Sequence, residues 1–456
     1  MRLSNIFKYF NIFLFLFVTV LLFYLINFKF GKLTNIIENK TQLFFNIILL
    51  LIISYLILSF FLSRNIKIII NITGICIIIS ILIIEAYLQI NHLKFIKGDL
   101  DEKKKIYKKN TGNIYDVRSK FEFYKELKKK YSNLSVPITV PMVLKSKQFK
   151  KENFLPISGI SNKKTIHCNE NGYYSIYDSD RFGFNNDDDI WNLKNQNKVM
   201  LLGDSFVHGA CVFRKDSFAG ILKNLNEKFE FYNLSYSEHG PLEQLVALRE
   251  YSKIIKPNYI IWFYYEGNDL ADLSGSLKNQ ILSSYLNDSN FNQDLAKKVQ
   301  LSDKIYKEIL NEQIKKRKIK FHSAGFNFES FFKLSYLRKT VLNFFIKPQL
   351  PFTEFEKIMR MVYQIAEKEN IDLYVIYLPD YHRYYYRKEN DLDYLNYEKV
   401  LKILSSTNIK VIDINKELKF RIDNKKKIFP FQKFGHYNEM GYKLISSIIN
   451  EKIFKN

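Results

Sequence analysis

Ser205, Asn268 and His436 lie far apart in the chain, yet their types and settings suit acyl-transfer chemistry. A serine hydroxyl is a weak nucleophile until a neighbouring base takes its proton, and histidine does that best near neutral pH. A carboxamide such as Asn268 can donate a hydrogen bond to an oxyanion as it develops. Removing one such donor typically costs on the order of 10²–10³ in rate. Each residue also has a plainer reading. Ser205 can be a polar turn, Asn268 a helix cap, and His436 one of seven histidines, most of them structural or exposed.

The elements around them separate these readings. Residues 199–202 (Val-Met-Leu-Leu) form a short buried strand. Gly203 and Asp204 break it, and Ser205 sits on the turn. Phe218, Ile221, Leu222 and Leu225 then carry the spacing of a helix. From Lys198 onward strands and helices alternate, with strands over 229–234, 258–265, 371–378 and 409–413 and helices over 242–253, 354–369, 395–404 and 440–453. Such alternation implies a parallel sheet with helices on both faces and a site at the carboxyl ends of the strands. Ser205, Asn268 and Asp380 fall just past strand ends, and His436 lies in a loop before the last helix. Backbone N–H groups at Ser205 and between Glu238 and Gly240 can supply further oxyanion donors. Residues 168–186 read as hairpins beside the first core strand, and 271–350 as a polar helical insertion. The tyrosine-rich run 377–387 reads as a surface loop, with stacking of sugar rings as the alternative.

Residues 9–28 and 41–63 are uncharged and apolar, and a third such run starts at Ile68 and gives a helix over about 68–90. Each is close to the ~20 residues that cross a bilayer as a helix. Residues 1–94 are therefore predicted to hold three transmembrane helices, with residues 95–164 a basic stalk that includes a helix over 117–131. Flanking lysines occur on both sides of the runs, so charge assigns no single orientation, and the basic segment after the third run favours the cytoplasm. The net charge of +23 is spread along the chain. It suits anionic lipid at a membrane, and no clustered stripe or binding module points to nucleic acid. Cys168 and Cys211 flank the Ser205 segment, and they are either one disulfide or two buried thiols. No spacing of histidines, cysteines or carboxylates indicates a metal site, and no motif calls for a cofactor.

Taken in order, these segments resemble the SGNH (GDSL) hydrolase superfamily over residues 165–456. Gly203-Asp204-Ser205, with Gly209 beyond, is similar to its first block and residues 233–241 to its second; Asn268-Asp269 is similar to its third and His436 to its fifth. The resemblance implies a flavodoxin-like three-layer α/β/α domain. It implies ester hydrolysis or O-acyl transfer on an ester, often acetyl, of a glycan or lipid. Ser205 would attack and His436 would act as base. Asn268 would line the oxyanion hole with the N–H groups of Ser205 and Gly240, supported by Gly203, Asp204, Gly267 and Asp269. The lead-in 178–185 resembles membrane-anchored bacterial members. That implies an inner-membrane protein whose soluble domain is extracytoplasmic, with Cys168 and Cys211 bridged. The chain departs from the family at Lys433, where an aspartate usually orients the histidine, at Glu238 or Gly240 in the second block, and at Glu266 in the third. Lys433 leaves open a serine–histidine dyad, an unseen acid, or a silent domain of this fold that binds a glycan or a protein partner.

Overall fold

Short runs of Val, Ile, Leu, Tyr and Phe bounded by turn residues build the strands, as their preference for a pleated buried surface dictates. In chain order they are β1 Leu134–Ser135, β2 Lys164–Ile166, β3 Ile176–Asp178, β4 Lys198–Leu202, β5 Glu230–Asn233, β6 Tyr259–Tyr265, β7 Asp372–Leu378 and β8 Lys410–Asp413. The computed structural model describes residues 63–193, 197–315, 326–345, 349–386 and 394–455, with Leu50, Ile53, Ser54 and Ile57 before them. The chain divides into two units, residues 1–96 with 325–347 and residues 97–324 with 348–456.

In the second unit, five strands form one sheet in the order β5-β4-β6-β7-β8. Every neighbouring pair is parallel. This is the flavodoxin-like order, in which the first strand sits inside the second and the chain then winds outward. Alternate side chains of a strand face opposite sides. Met200, Leu202, Ile260, Trp262 and Tyr264 join one core with helices Pro241–Ile255, Phe352–Lys368 and Tyr397–Ser406. Val199, Leu201, Ile261, Phe263 and Tyr265 join the other with helices Phe218–Leu225, Ile414–Leu418 and Glu439–Ile453. The result is three layers, α/β/α. These elements lie within a few residues of the positions read from periodicity.

The segment 95–164 differs from the expected stalk. Helix Arg64–Thr111 runs through its first part unbroken. The next helix spans only Lys120–Lys128, because Ser119 and Glu122 close a capping box at its start. Phe121, Tyr124, Leu134, Val136, Ile138 and Val143 are buried in the same core as β4 and β6. β1 pairs with β2 in parallel and β2 with β3 antiparallel, making a three-stranded sheet. Strands of two or three residues leave no readable alternation, so this part of the core was hidden among lysines. The insertion also divides. Leu282, Tyr285, Ile305 and Tyr306 are buried in the core of the second unit, whereas 325–347 belong to the first.

In the first unit, the apolar part of helix Arg64–Thr111 exposes Ile69, Ile72, Ile77, Ile78 and Ile83. Among the described residues one helix, Ile72–Thr111, is long and apolar enough to cross a membrane. It contains most of the third expected run; the runs 9–28 and 41–63 lie outside the described residues, apart from a few isolated positions. The buried Glu85 accepts the N–H groups of Tyr336 and Leu337 in the first turn of helix Ser335–Phe345. A carboxylate is favoured there by the positive end of the helix dipole.

One buried ion pair fixes the loop after β7. Glu266 directly follows β6, and its carboxylate accepts Arg383 Nε at 2.8 Å, Arg383 Nη2 at 2.5 Å, Tyr377 Oη at 2.8 Å and the Asp380 N–H at 2.7 Å. The side chains of Arg383 and Glu266 are 1% and 0% exposed. Removing one partner of such a pair strands the other charge, at a cost of about 3–5 kcal/mol. Arg383→Ala is expected to lower the thermal unfolding midpoint strongly, and the double change Arg383→Leu with Glu266→Leu to recover much of the loss. Equal midpoints for Arg383→Ala and the unaltered protein would refute this assignment.

Candidate active site

β4 ends at Leu202 and Ser205 opens the single helical turn Ser205–His208. Asp204 caps that turn by accepting the Phe206 N–H at 2.9 Å. Position 203 has no room for a side chain, since a Cβ there would lie 2.4 Å from Val207 Cγ2. Gly209 closes the turn at φ +84°, a conformation that favours glycine. Asp204, Phe206 and Val207 are buried while Ser205 stays partly open. The tight turn thus holds one hydroxyl at the surface of a rigid core.

His436 meets that hydroxyl. Its Nε2 is 2.8 Å from Ser205 Oγ. On the other side its Nδ1 lies 3.1 Å from both carboxylate oxygens of Glu170, and the His436 backbone N–H donates to Glu170 Oε2 at 2.6 Å. An imidazole that donates Nδ1–H to a carboxylate presents the Nε2 lone pair to the serine. Glu170 thus occupies the place that the missing aspartate leaves open. Lys433 turns away to Glu102, at 2.7 Å, and Asp99, at 3.7 Å. The sequence reading missed Glu170, which lies between β2 and β3. A signal was present, since Cys168 stands two residues before it and Cys211 six after Ser205. The two cysteines are bonded, with Cα atoms 4.8 Å apart, and Asn171 Nδ2 donates to the Cys211 carbonyl at 3.0 Å.

Burial works against both charges of the Glu170–His436 pair, and their attraction outweighs it. The Glu170 carboxyl is held below the usual carboxylate range, and His436 is raised above 6.5. Behind the serine the pattern reverses. Burial lifts Asp204 to about 6, and Asp269 is pushed well up by burial and by Asp204. Burial and the charges of Asp204, Glu243 and Glu238 lift Asp272 to about 7.

A cavity of about 380 Å³ opens over Ser205, lined among others by Glu170, Tyr265, Gly267, Asn268, Asp380, His382, Tyr394, Phe434 and His436. Asn268 therefore joins Ser205 and His436. Its amide donates one N–H to Asp272 Oδ2 at 2.7 Å, and a carboxamide carries two. Asp269 accepts the Tyr265 N–H at 3.0 Å and so holds the turn below Asn268. Gly267 packs against the Tyr265 ring, where a Cβ would come within 2.5 Å. Gly240 does not join the site. It caps helix Pro241–Ile255, and its N–H is spent on Glu243 Oε2 at 3.1 Å, so the oxyanion role expected of it is withdrawn. The left-handed turn falls instead on Glu238, at φ +63°. The Glu238 carboxylate accepts Thr139 Oγ1 at 2.7 Å. The run 377–387 is likewise more than a surface loop, because Asp380 and His382 line the cavity.

Glu170, Cys211 and His436 bring donor atoms within 4.8 Å of one another, which is the spacing of a metal site. The Cys211 sulfur is committed to its disulfide and the other two bond each other, so these donors do not fit a metal ion.

No family model matches the chain, and no curated protein matches it. Several solved structures are similar to part of it. An acetyl xylan esterase shares 12% identity over 56% of this chain and 100% of its own, at a TM-score of 0.31. The lipase/acylhydrolase from Enterococcus faecalis shares 14% over 57% and 95%, at 0.33. A protein of the G-D-S-L family from Desulfitobacterium hafniense shares 14% over 56% and 99%, at 0.31.

The pair predicts a titration. Glu170 stabilises the imidazolium, so the midpoint of His436 lies above 6.5, and Glu170→Gln moves it down because burial is then opposed only by the charge of Asp204. Histidine-selective NMR across pH 5 to 9 reads this directly. An unchanged midpoint in Glu170→Gln would separate the two residues.

Proposed function

We propose that this chain is a serine esterase or O-acyltransferase that acts on an ester, often acetyl, of a glycan or lipid. Ser205 is the nucleophile, His436 its general base, Glu170 the carboxylate that orients the base, and Asn268 an oxyanion donor. One observation carries this reading: His436 Nε2 is 2.8 Å from Ser205 Oγ while its Nδ1 rests on Glu170. The motif order supports it, and Glu170 removes the reason for reading the domain as catalytically silent. Ser205 Oγ attacks the carbonyl carbon as its proton passes to His436 Nε2. The tetrahedral oxyanion forms beside the Asn268 amide and the Ser205 N–H. The proton then goes to the leaving alcohol, and water or a second alcohol takes the acyl group from Ser205.

The apolar helix supports attachment to a lipid bilayer at the bacterial inner membrane, and the Cys168–Cys211 bond supports an extracytoplasmic site for the domain. The readout is p-nitrophenyl acetate hydrolysis by the full chain in detergent. Ser205→Ala and His436→Ala are expected to lower kcat by ~10⁴ or more, and Glu170→Gln by ~10²–10⁴. Turnover in Ser205→Ala equal to that of the unaltered protein would sink the proposal. The base must be neutral to work, so activity rises with pH through a midpoint above 6.5 and this limb shifts to lower pH in Glu170→Gln. Reduction of the disulfide frees the loop that carries Glu170. Turnover is expected to fall on reduction and to return on reoxidation; indifference to reductant would show that the loop is held without the bond.

A further inference from the structure

The cavity over Ser205 holds a second oriented histidine that the reaction above does not use. β7 carries Pro379 and Asp380 past its carboxyl end, to the edge where β4 delivers Ser205 and β6 delivers Asn268. Asp380 is buried and fixed on every side. Its N–H donates to Glu266 Oε1 at 2.7 Å, and its Oδ1 accepts Tyr265 Oη at 2.5 Å. Its Oδ2 accepts the His382 N–H at 2.9 Å and lies 3.0 Å from His382 Nδ1. The His382 ring leans on Phe434, with centroids 4.9 Å apart, and its side chain is 39% exposed.

A neutral imidazole that gives Nδ1–H to a carboxylate keeps an acceptor lone pair at Nε2. No described residue bonds His382 Nε2. The plain alternative is that Asp380 merely caps helix Tyr381–Tyr385. The backbone N–H of His382 satisfies that cap alone, and any residue supplies one. The ring and its carboxylate partner are left over by that explanation. Asn268, which lines the same cavity, also has its Oδ1 buried with no hydrogen-bond partner among the described residues.

We infer that His382, positioned by Asp380, accepts a hydrogen bond from a hydroxyl of the alcohol half of the ester, and that this alcohol carries more than one hydroxyl. The inference rests on the serine mechanism proposed above. In that mechanism the alcohol oxygen bonded to the acyl carbon exchanges its proton with His436, as the bond from Ser205 Oγ to that carbon forms or breaks. One hydroxyl is spent there. A neighbouring hydroxyl reaches His382 Nε2, while Phe434 and Tyr394, which also line the cavity, contact the carbon skeleton of the same alcohol. An alcohol with a single hydroxyl leaves Nε2 unpaired, and a site built to hydrogen-bond a hydroxyl discriminates against analogues that lack it.

The test compares two acetate esters of three-carbon alcohols, glycerol monoacetate and propyl acetate, with the full chain in detergent. The unaltered protein is expected to favour glycerol monoacetate in kcat/KM by about tenfold, the effect of one neutral hydrogen bond. His382→Phe keeps a ring and removes both nitrogens, and is expected to bring the ratio close to one. His382→Gln restores a carbonyl acceptor and is expected to fall between. A merely structural role would lower both esters alike and leave the ratio unchanged, which overturns the inference. A ratio near one in the unaltered protein, or turnover of neither ester, overturns it too. If p-nitrophenyl acetate turnover also fails to depend on Ser205, the mechanism beneath it falls; if that dependence holds, only the role of His382 is lost.

Discussion

The contact between Glu170 and His436 is the constraint around which the second unit is built. A histidine beside a serine has two tautomers and a freely turning ring, and only one arrangement offers Nε2 to the hydroxyl. Glu170 selects it by taking Nδ1 and the backbone N–H together. The carboxylate arrives from the small sheet β1–β3, which precedes β4 in the chain and lies outside the five-stranded sheet. The Cys168–Cys211 bond then ties this loop to the segment just after the Ser205 turn. Ser205, His436 and Glu170 are therefore each held by a different part of the chain, and the disulfide shortens the path between two of them.

The departure at position 433 has a structural counterpart elsewhere. Lys433 pairs with Glu102 and Asp99, near the end of helix Arg64–Thr111, and Tyr107 of that helix packs edge-on against Phe431 with centroids 6.3 Å apart. A Cβ on Gly172 would lie 2.5 Å from the Tyr107 ring. The last turns of the helix thus touch both the loop of His436 and the loop of Glu170. These surface charge pairs contribute little energy by themselves. They join the loop of His436 to the end of that helix.

The acids behind the serine show what burial costs. Burial holds the carboxyls of Asp204, Asp269 and Asp272 up, and the charge of Asp204 adds to it at the other two. Burial lifts Glu266 as well, and Arg383 enclosed beside it offsets part of that rise. Glu266 fills a position where the resembled family carries glycine, and the ion pair that results anchors the loop bearing Asp380 and His382.

Much of this was decided by local chemistry and so was legible in the sequence. The alternation of apolar runs with helical spacing specified a parallel three-layer sheet, because buried strands and amphipathic helices have few ways to cover each other. Gly203-Asp204-Ser205 specified a sharp turn at a strand end, and the distance from Asn268 and His436 to neighbouring elements placed both at the same edge. The hairpin that ends in β3 was legible in the turn-rich run 168–186, whereas β1, β2 and the burial of Phe121, Tyr124 and Val143 were not, since strands of two or three residues carry no period. Glu170, the commitment of the Gly240 N–H to a helix cap, and the Asp380–His382 pair were decided by tertiary structure alone. Each depends on contacts between segments whose separation in sequence carries no local signal, so only the folded chain shows which carboxylate faces which ring.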